Sequence, residues 1–440
     1  MKNIEIASVN SSSDKQAPPP PLDIQHLMRA GTLSLASLPP LSLYIHLPWC
    51  LKKCPYCDFN SHALSTGAAG ELAGAAGAAG AAGAAGAGGR AELPEDRYID
   101  ALICDLESSL PLIWGRSIHS IFMGGGTPSL FSPKSIERLI SSVRSRLVLL
   151  PGCEITLEAN PGTFERDRFK AFRQAGVTRL SLGVQSFNDQ ALKALGRVHD
   201  SAQALAAAKE ASEVFETFNL DLMYALPHQR VEDLVVDLQT ALGFNPPHLS
   251  IYHLTLEPNT VFAKYPPEHL PSEDTAYEML DVIADYAKGS GLERYEVSAF
   301  ARDGHRCLHN LNYWQFGDYL GIGAGAHSKL SFAHRIIRLI RHKEPTLYMV
   351  KAEAGEAVAK LEEVPRSELP FEFMLNLTRL KEGFNLQMFM ERTGMPLSAV
   401  QGPIEEAVSK GLLERDMMQV TPTVKGFDFL SDLQSLFLPG

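Results

Sequence analysis

Short runs rich in Val, Ile and Leu alternate with longer amphipathic stretches between residues 41 and 254. This alternation is typical of βα units, in which each helix carries the chain back so that successive strands lie parallel in one sheet. Helices are predicted near 95–113, 132–148, 163–175, 188–212 and 231–243. The six predicted strands are Leu41–Leu47, Ser117–Phe122, Glu154–Glu158, Arg179–Gln185, Thr217–Met223 and His248–Leu254. We therefore predict an α/β fold built as an open, partial (β/α)6 barrel.

Polar, glycine or cysteine residues stand at the carboxyl end of nearly every predicted strand. A cysteine cluster follows the first strand, and residues 124–128, Gly-Gly-Gly-Thr-Pro, follow the second. Glu158 and Gln185 end the third and fourth strands, and Asp221 lies near the end of the fifth. Parallel α/β folds bind ligands at this rim because the loops from all the strands converge there. The pattern predicts a single site at the rim.

Three of the six cysteines, Cys50, Cys54 and Cys57, fall within eight residues. Six cysteines in 440 residues are too few for a disulfide scaffold, so a metal centre is the expected use. The spacing C-x3-C-x2-C supplies thiolates for three irons of a [4Fe–4S] cubane and leaves the fourth iron open. Zinc is the alternative, but zinc sites usually take four ligands from paired arms, and no second arm lies nearby. Cys104 and Cys153 are predicted to be structural.

The cysteine motif, followed by Gly-Gly-Gly-Thr-Pro, resembles the radical S-adenosylmethionine superfamily, and the surrounding sequence is similar to its HemN/HemW branch. The similarity runs from about Leu41 to the C-terminus, interrupted only by residues 67–89. The matching segments are residues 44–60, 123–131, 158–163, 183–187, 219–227 and 307–329. The resemblance implies a [4Fe–4S] cluster, S-adenosylmethionine and reductive cleavage of that cofactor to a 5′-deoxyadenosyl radical.

The resemblance also implies which residues hold the amino-acid end of S-adenosylmethionine. Tyr44 and the backbone at Gly125, Gly126 and Thr127 would hold the methionine moiety, because glycines let the backbone approach a ligand closely. Arg197 would pair with the carboxylate. Taken singly, the glycine run is also compatible with a simple turn, and Arg197 with a solvated helix charge.

The nucleoside end is assigned in the same way. Tyr56, directly before the last cysteine, is predicted to pack over the adenine. The resemblance implies that Glu158 and Gln185 hydrogen-bond the ribose or the amino group, and that Asp221 accepts a hydrogen bond from the cofactor. Gln185 alone is also compatible with a capped strand end. The convergence of these positions on one barrel rim favours the functional interpretation.

Position 59 distinguishes two kinds of protein in this branch. One kind is oxygen-independent coproporphyrinogen III oxidase, which decarboxylates two propionates of a tetrapyrrole; the other is a haem chaperone that delivers haem to respiratory enzymes. The oxidase pattern has a fourth cysteine two residues after the third, whereas this chain has Phe59. Because an aromatic ring cannot replace a thiol, Phe59 speaks against decarboxylase activity.

Residues 309–314, His-Asn-Leu-Asn-Tyr-Trp, resemble the H-N-x-x-Y-W haem-binding signature of the chaperone group. The resemblance implies that His309, Asn310, Tyr313 and Trp314 contact haem. The His309 imidazole would bind the iron, and the aromatic rings would pack on the macrocycle. His309 and Tyr313 share a face if this segment is helical.

Two alternatives to iron ligation by His309 stay open. The histidine is equally compatible with a hydrogen-bonded role in a domain interface. Cys307 offers a thiolate, and His305, Cys307 and His309 alternate as they would on a strand, which suits a second ligand set or a small metal clip. Residues 317–327, which are dense in glycine and end at His327, either bring the backbone near a planar ligand or form a tight crossover.

The chain divides by composition into four regions. Residues 1–40 contain serine and proline runs without a sustained period and are predicted to be a disordered or loosely attached arm. Residues 41–300 form the predicted barrel, in which the Gly-Ala-Ala repeats of 67–89 are a flexible insertion. A connecting region with the haem motif, 301–364, leads to 365–440, whose pattern of helices and a hairpin resembles a winged-helix-like domain.

Charge and hydropathy restrict the partners. Forty basic against 51 acidic residues give a net charge of −11, which disfavours nucleic acid and anionic membrane surfaces. No apolar run approaches the roughly 20 residues that span a bilayer, and the N-terminus lacks the order of a secretory signal. We therefore expect a cytoplasmic protein whose contacts with membrane proteins are transient.

The main hypothesis is a haem chaperone that carries a [4Fe–4S] cluster and S-adenosylmethionine and delivers haem to acceptor haem proteins such as respiratory enzymes. The alternative is an enzyme, either coproporphyrinogen III oxidase or another radical enzyme that modifies tetrapyrroles. A scaffold that keeps the fold without the cluster is disfavoured by the intact cysteine triad. The pattern leaves open whether S-adenosylmethionine is cleaved.

Overall fold

The computed structural model describes residues 24–64, 93–163 and 167–439. Six parallel strands lie side by side in chain order and form the barrel wall. They are Leu41–Leu47, Ile118–Gly125, Leu149–Ala159, Arg179–Gln185, Thr217–Tyr224 and His248–His253. Their inward and outward faces are largely buried, as expected for parallel strands covered by helices. The predicted α/β partial barrel is confirmed.

The sheet continues beyond the barrel at both edges, so that twelve strands of the described residues form one sheet. Next to the first barrel strand lie Asp318–Ile322, which is parallel to it, and then the antiparallel strands His327–Phe332, Arg335–Arg341 and Val358–Glu363. At the other edge lie the antiparallel strands Ala299–Ala301 and Glu293–Arg294. The first of these extensions brings residues 317–343 beside the cysteine loop.

Helices cover the barrel and connect its strands. They are Glu95–Ser109, Pro133–Arg146, Arg168–Gln174, Asp189–Ala194, Ser201–Val214, Val231–Gly243 and Glu273–Gly289, with short 3₁₀ turns at Leu110–Leu112, Pro128–Leu130 and Pro161–Thr163. Smaller helices are Ile24–Met28, Val261–Lys264, Leu308–Trp314 and Pro345–Glu353. No helix in the described part of the chain is long and apolar enough to cross a membrane.

The helix predicted over 188–212 is interrupted. It ends at Ala194, Gly196 has a positive φ of 68°, and a new helix starts after Asp200. The Asp200 side chain accepts from the Gln203 N–H at 2.8 Å and completes a capping box, which fixes the second start. Arg197 lies in the short connection between the two helices, and from there its side chain reaches the cavity described below.

A second hydrophobic core lies in the C-terminal part. Its elements are the helices Leu369–Leu377, Leu386–Thr393, Ser398–Ser409, Val424–Asp428 and Leu430–Ser435 and the strands Phe384–Asn385, Leu413–Asp416 and Gln419–Pro422. The three strands form a small antiparallel sheet. Phe373 lies at its centre and makes edge-to-face contacts with Phe384 and Phe389, with ring centroids 5.4 and 5.2 Å apart. This order agrees with the predicted helical, winged-helix-like C-terminal domain.

Part of the N-terminal arm is ordered, which corrects the prediction for residues 24–40. Leu27 is buried in the first core, and Leu33 and Leu35 are buried in the second. The Leu33 N–H donates to the His334 carbonyl at 3.2 Å, and the Leu35 N–H to the Ala333 carbonyl at 2.9 Å. Three leucines in a short segment are enough to bind it to both cores, despite the surrounding serine and proline. The rest of the arm and the Gly/Ala insertion of 67–89 lie outside the described residues.

Candidate functional site

The three cysteines of the motif line one cavity at the carboxyl rim of the barrel. A short parallel pairing of Trp49–Cys50 with His62–Ala63 closes their loop, and the Cys57 N–H donates to the Cys54 carbonyl at 3.2 Å in a tight turn. All three thiols are free and half-buried. The cavity has a volume of about 160 Å³.

Each of these thiols has a polar neighbour. Thr127 Oγ1 donates to Cys50 Sγ at 3.5 Å, and Arg197 Nη1 donates to Cys54 Sγ at 3.6 Å. Cys57 Sγ lies 3.7 Å from Ser61 Oγ. Burial raises the pKa of the Cys50 thiol. Metal binding requires thiolates, which the hydroxyl and guanidinium donors stabilise.

The glycine run packs directly on the cysteine loop. A Cβ at Gly126 would lie 2.6 Å from the Pro48 carbonyl carbon and the Trp49 oxygen, so only glycine fits there. The Gly126 and Thr127 N–H groups donate to Leu47 O at 2.8 Å and Trp49 O at 2.7 Å. The run lines the cavity as predicted, but these amides are already bonded within the protein, so a ligand there would meet the remaining backbone surface.

Two half-buried carboxyl groups, Glu158 and Asp221, line this cavity. Burial, reinforced by the charge of Asp221, raises the pKa of Glu158 to about 8, although the Gly125 N–H donates to its Oε2 at 3.1 Å. Burial also raises the pKa of Asp221 to about 6, against the hydrogen bonds from Asn219 at 2.7 Å and Ser181 at 3.0 Å. The pair can therefore hold a proton near neutral pH and accept hydrogen bonds from a bound ligand.

Arg197 extends from the helix break into the same cavity, together with Gln185 and Tyr56. Its Nη2 donates to the Gly183 carbonyl at 2.8 Å and its Nη1 to Tyr56 Oη at 3.4 Å. Arg197 Nε is buried and has no hydrogen-bond partner in the described part of the chain. Gln185 has a positive φ of 68°, which ends its strand at the rim. Arg197 is thus a fixed cation beside the cysteines and not a solvated helix charge.

A larger cavity, of about 900 Å³, adjoins the first one. The two share Phe59, Ser61, Gly125 and Glu158. Aromatic rings form much of its wall: Tyr44, Phe59, Phe122, Tyr313, Trp314 and Tyr319. Pockets of roughly 300–1,000 Å³ with apolar walls and few polar groups are typical small-molecule sites.

Several residues that line this large cavity were not predicted as site residues, among them Lys53, Lys343, Tyr319 and His327. Lys53 and Lys343 are exposed there, and His327 and Tyr319 come from the extension of the sheet. Tyr319 and His327 belong to the glycine-dense run 317–327, so the run itself was the available signal. Their approach to the cysteine loop depends on strand pairing between distant segments, which a single sequence does not reveal.

The predicted haem motif is divided between two cavities. The motif forms the helix Leu308–Trp314. His309 and Tyr313 therefore lie on the same face of a helix, as predicted, and their ring centroids are 6.4 Å apart. Tyr313 and Trp314 line the large cavity. His309 and Asn310 line a separate cavity of about 80 Å³ inside the barrel.

Four groups surround the buried His309 side chain. Its ring stacks on Phe122, with centroids 4.1 Å apart and planes inclined by 7°. Its Nδ1 lies 3.1 Å from Cys307 Sγ and 3.4 Å from both Glu154 Oε1 and Thr156 Oγ1. Burial lowers the pKa of His309, so the imidazole is neutral. These contacts separate it from the large cavity, and iron ligation by His309 stays a prediction.

Glu154, Cys307 and His309 have the donor types of a metal site, with their ligand atoms within 4.8 Å of one another. Arg179 Nη1, however, donates to Glu154 Oε2 at 3.2 Å, and its positive charge opposes a bound cation. His305 is directed elsewhere, with Nδ1 3.0 Å from Thr217 Oγ1. His309 lies on the helix Leu308–Trp314, whereas His305 and Cys307 precede it in irregular chain, so the three alternating residues do not share a strand face. Glu154, Cys307 and His309 therefore form a hydrogen-bonded cluster in which Arg179 neutralises the charge of Glu154.

Comparisons with known proteins show which families and relatives the chain resembles. Residues 44–241 match the model of the radical SAM superfamily, and residues 364–429 match that of the HemN C-terminal domain. The chain is 43% identical over 408 residues to heme chaperone HemW of Escherichia coli, covering 92% of this chain and all of the relative. It is 42% identical over 410 residues to heme chaperone HemW of Haemophilus influenzae, covering 92% and 99%.

A mitochondrial relative and one solved structure add to this. Radical S-adenosyl methionine domain-containing protein 1 of Mus musculus is 33% identical, with 90% of this chain and 87% of the relative covered. The structure of coproporphyrinogen III oxidase HemN from Escherichia coli superposes with a TM-score of 0.73 at 23% identity, covering 91% of this chain and 90% of that one. This likeness establishes the fold.

Proposed function

The chain belongs to the HemW family of the radical SAM superfamily, and from this premise we propose that it is a haem chaperone. It carries a [4Fe–4S] cluster and S-adenosylmethionine in the small cavity, binds haem in the large cavity and passes the haem to acceptor haem proteins. The acceptors we propose are respiratory enzymes, reached by transient contact with membrane proteins, and the location is the cytoplasm. A reducing compartment is required because the cluster needs free thiols.

The observation that carries the proposal is the large aromatic-walled cavity beside the cysteines. Its volume of about 900 Å³ lies within the range of small-molecule sites. The macrocycle of haem is flat and apolar, and rings such as Tyr313 and Tyr319, whose centroids lie 4.9 Å apart, present faces and edges on which it can pack. Nearby lysines provide cations for its two carboxylates.

The residues around the small cavity fit the cofactors that the family implies. Cys50, Cys54 and Cys57 supply three thiolates, which bind three irons and leave one for an external ligand. When bound, the cluster supplies the electron for S-adenosylmethionine chemistry. The protein's own contribution is to hold the thiolates on a glycine-packed loop and to place a guanidinium and two carboxyl groups around the remaining space.

We assign the cofactor contacts from these positions. The unpartnered Arg197 Nε and the rest of its guanidinium would receive the cofactor carboxylate. The amino group would be held by Glu158 and by the backbone at Gly125 and Gly126. Asp221 would take the ribose hydroxyls.

Three further positions complete this assignment. Gln185 would contribute to the ribose contact from the end of its strand, and Tyr56 would lie against the adenine. Thr127 would orient Cys50 through its 3.5 Å hydrogen bond to the thiol.

The test is an anaerobic titration of the reconstituted protein with ferric haem, followed by absorbance, and then transfer to an apo haem protein. We expect saturable binding and transfer. Tyr319→Leu removes a cavity ring and should weaken haem binding about two- to tenfold. Tyr277→Leu is the matched control because Tyr277 is 54% exposed and hydrogen-bonds Asp428 on the surface. Absence of saturable binding overturns the proposal.

A second assay addresses oxidase activity. The reduced protein is incubated with S-adenosylmethionine and coproporphyrinogen III, and no protoporphyrinogen is expected. Phe59, at the position of the oxidase's fourth cysteine, is 62% exposed at the boundary of the two cavities and offers no thiol there. Formation of protoporphyrinogen would favour the oxidase function instead.

A further inference from the structure

We infer that His327 is the protein ligand of the haem iron and that Lys343 and Lys53 hold the haem propionates. The inference rests on the proposed function, because it specifies how the large cavity receives its cargo. All three residues line that cavity, and none of them belongs to the 309–314 motif. An axial ligand must offer a neutral imidazole nitrogen that no other group occupies.

Two other histidines line the cavity, but their nitrogens are engaged. His46 Nδ1 lies 2.8 Å from Tyr44 Oη, and its Nε2 lies 3.0 Å from the Asn60 carbonyl. His46 is also buried. His62 Nε2 lies 3.3 Å from the Asn60 side-chain oxygen, and His62 also bonds the Lys343 backbone. Both rings therefore support the cysteine loop, and neither presents a free lone pair to the cavity.

His327 differs from them. Its side chain is exposed and lines the cavity, and it takes part in no hydrogen bond within the ranges that the structure describes. Partial desolvation by the cavity wall, with the neighbouring Lys343 and Arg338 charges, lowers the pKa of His327, so that the imidazole is neutral at pH 7. His309 lacks this access because Phe122 covers its ring.

The backbone of His327 is firmly held. It opens the strand His327–Phe332 and pairs with Ile340 across the sheet. The close approach of Gly321 to the His327 carbonyl leaves no room for a Cβ at Gly321. A ligand on a rigid strand end is preorganised, which the 317–327 glycine run makes possible.

The cationic side chains that line the cavity are of two kinds, those that pair with a carboxylate and those that do not. Arg338 is bound by Glu372 through contacts of 3.2 and 2.5 Å, and Lys329 by Asp318 at 3.1 Å. Lys343 forms no ion pair with any described residue.

Lys53 is the second cation of the cavity that forms no ion pair within the part of the chain that the structure describes. Its Nζ donates to the Phe59 carbonyl at 3.1 Å. Asp58 also lines the cavity but pairs with neither lysine in the described ranges. Two uncompensated ammonium groups match the two carboxylates of haem.

The experiment compares His327→Ala with His309→Ala and with the control His119→Ala in the full-length, cluster-loaded protein. His119 is exposed on a barrel strand and lines none of the three cavities described above. Each variant is titrated anaerobically with ferric haem, and affinity, the Soret band and the electron paramagnetic resonance spectrum are recorded. Circular dichroism melts verify folding.

We expect His327→Ala to change the haem spectrum and to bind haem at least about tenfold more weakly. Loss of a group that only supports a metal ligand already costs roughly tenfold in affinity, and loss of the ligand itself should cost no less. Added imidazole should restore the wild-type spectrum, which a merely misfolded variant would not show. Lys343→Gln should weaken binding by about two- to fivefold with the spectrum unchanged.

Wild-type spectrum and affinity in His327→Ala overturn the inference, and so does a loss of the wild-type spectrum confined to a folded His309→Ala variant. Failure of the wild-type protein to bind haem at all overturns the proposed function instead. The two failures are therefore distinguishable.

Discussion

The Phe122 ring lies flat against the His309 imidazole, with centroids 4.1 Å apart and planes inclined by 7°. Phe122 lines both the large cavity and the inner one, so it forms part of the wall between them. The motif histidine is consequently held inside the barrel by Glu154 and Cys307. The Phe122 side chain therefore stands between this histidine and the large cavity.

Phe122→Ala should expose His309 to the large cavity. Diethyl pyrocarbonate modifies accessible neutral imidazoles, so mass spectrometry should find His309 protected in the wild-type protein and modified at least several times faster in the variant. His327 should react readily in both. Phe59→Ala is the matched control, since Phe59 lines the large cavity but does not cover His309. If His309 were modified at the same rate in the wild-type protein and in Phe122→Ala, Phe122 would not be the barrier between His309 and the large cavity.

Replacement of any one of Cys50, Cys54 or Cys57 with Ala should abolish stable cluster assembly. The wild-type protein should contain about four iron atoms and four sulfides per chain after anaerobic reconstitution. Cys104→Ala is the control, because Cys104 lies on the helix Glu95–Ser109 and outside the cavity. Iron and sulfide analysis tests this, and full iron in a triad variant would exclude that thiol as a ligand.

Arg197→Gln should weaken S-adenosylmethionine binding by roughly tenfold or more, because a charge-assisted hydrogen bond contributes about 1.5–3 kcal/mol. Isothermal titration calorimetry on the cluster-loaded protein measures this. Arg230→Gln is the control, since the Arg230 side chain is 72% exposed, pairs with the nearby Asp233 and lies outside the cavity. Iron content is measured in parallel because Arg197 also donates to Cys54. Unchanged affinity at full iron content would reject the carboxylate assignment.

The free energy of unfolding of the cluster-free protein should fall as the pH rises, because Glu158 loses its proton more readily in the unfolded state than in the folded state. The folded pKa of Glu158, about 8, exceeds its usual value of 4.5, so the folded state keeps a proton that the unfolded state loses. The free energy of unfolding therefore falls between about pH 4.5 and pH 8 and levels off above. Glu158→Gln should remove this loss and raise stability at pH 8.5 by on the order of a few kcal/mol, with little change at pH 4.5.

Urea unfolding at pH 4.5 and pH 8.5 checks this expectation. The exposed Glu414→Gln should show no such pH-dependent gain. If Glu158→Gln destabilised the protein equally at both pH values, proton retention by Glu158 would be excluded.

Arg341→Met should destabilise the fold by about 3–5 kcal/mol, because removing one partner of a buried ion pair leaves the other charge uncompensated. Arg341 Nη2 lies 3.2 Å from Asp105 Oδ1, and both side chains have 0% exposure. Arg97→Met is the matched control. The side chains of Arg97 and its partner Glu353 are 48% and 41% exposed, so Arg97→Met should cost far less stability than the loss of the buried pair. Denaturant unfolding compares the two, and similar losses would contradict the dependence on burial.

The sequence by itself determined the barrel and the position of its rim. Strands such as Leu41–Leu47 and Arg179–Gln185 were predictable because short apolar runs between helical patterns specify buried parallel strands. The cysteine spacing and the glycine run after the second strand predicted the cluster loop, since these chemical requirements are local in sequence.

Sequence reasoning was less reliable where packing overrides local pattern. The interruption between Asp189–Ala194 and Ser201–Val214 was missed, because alanine-rich composition favours one continuous helix while Gly196 and the Asp200 cap divide it. The prediction that residues 24–40 are disordered was wrong because leucines of this segment pack into hydrophobic cores formed by distant parts of the chain.

Only the tertiary structure decided which way the motif histidine faces. The 309–314 segment gave a helix with His309 and Tyr313 on one side, but its sequence does not say which cavity each enters. That depends on contacts between residues far apart, such as His309 with Thr156, 153 positions away. It also depends on the sheet extension, which brings His327 to the large cavity. Local propensity fixes helices and strands, whereas a ligand site depends on long-range packing that no short pattern encodes.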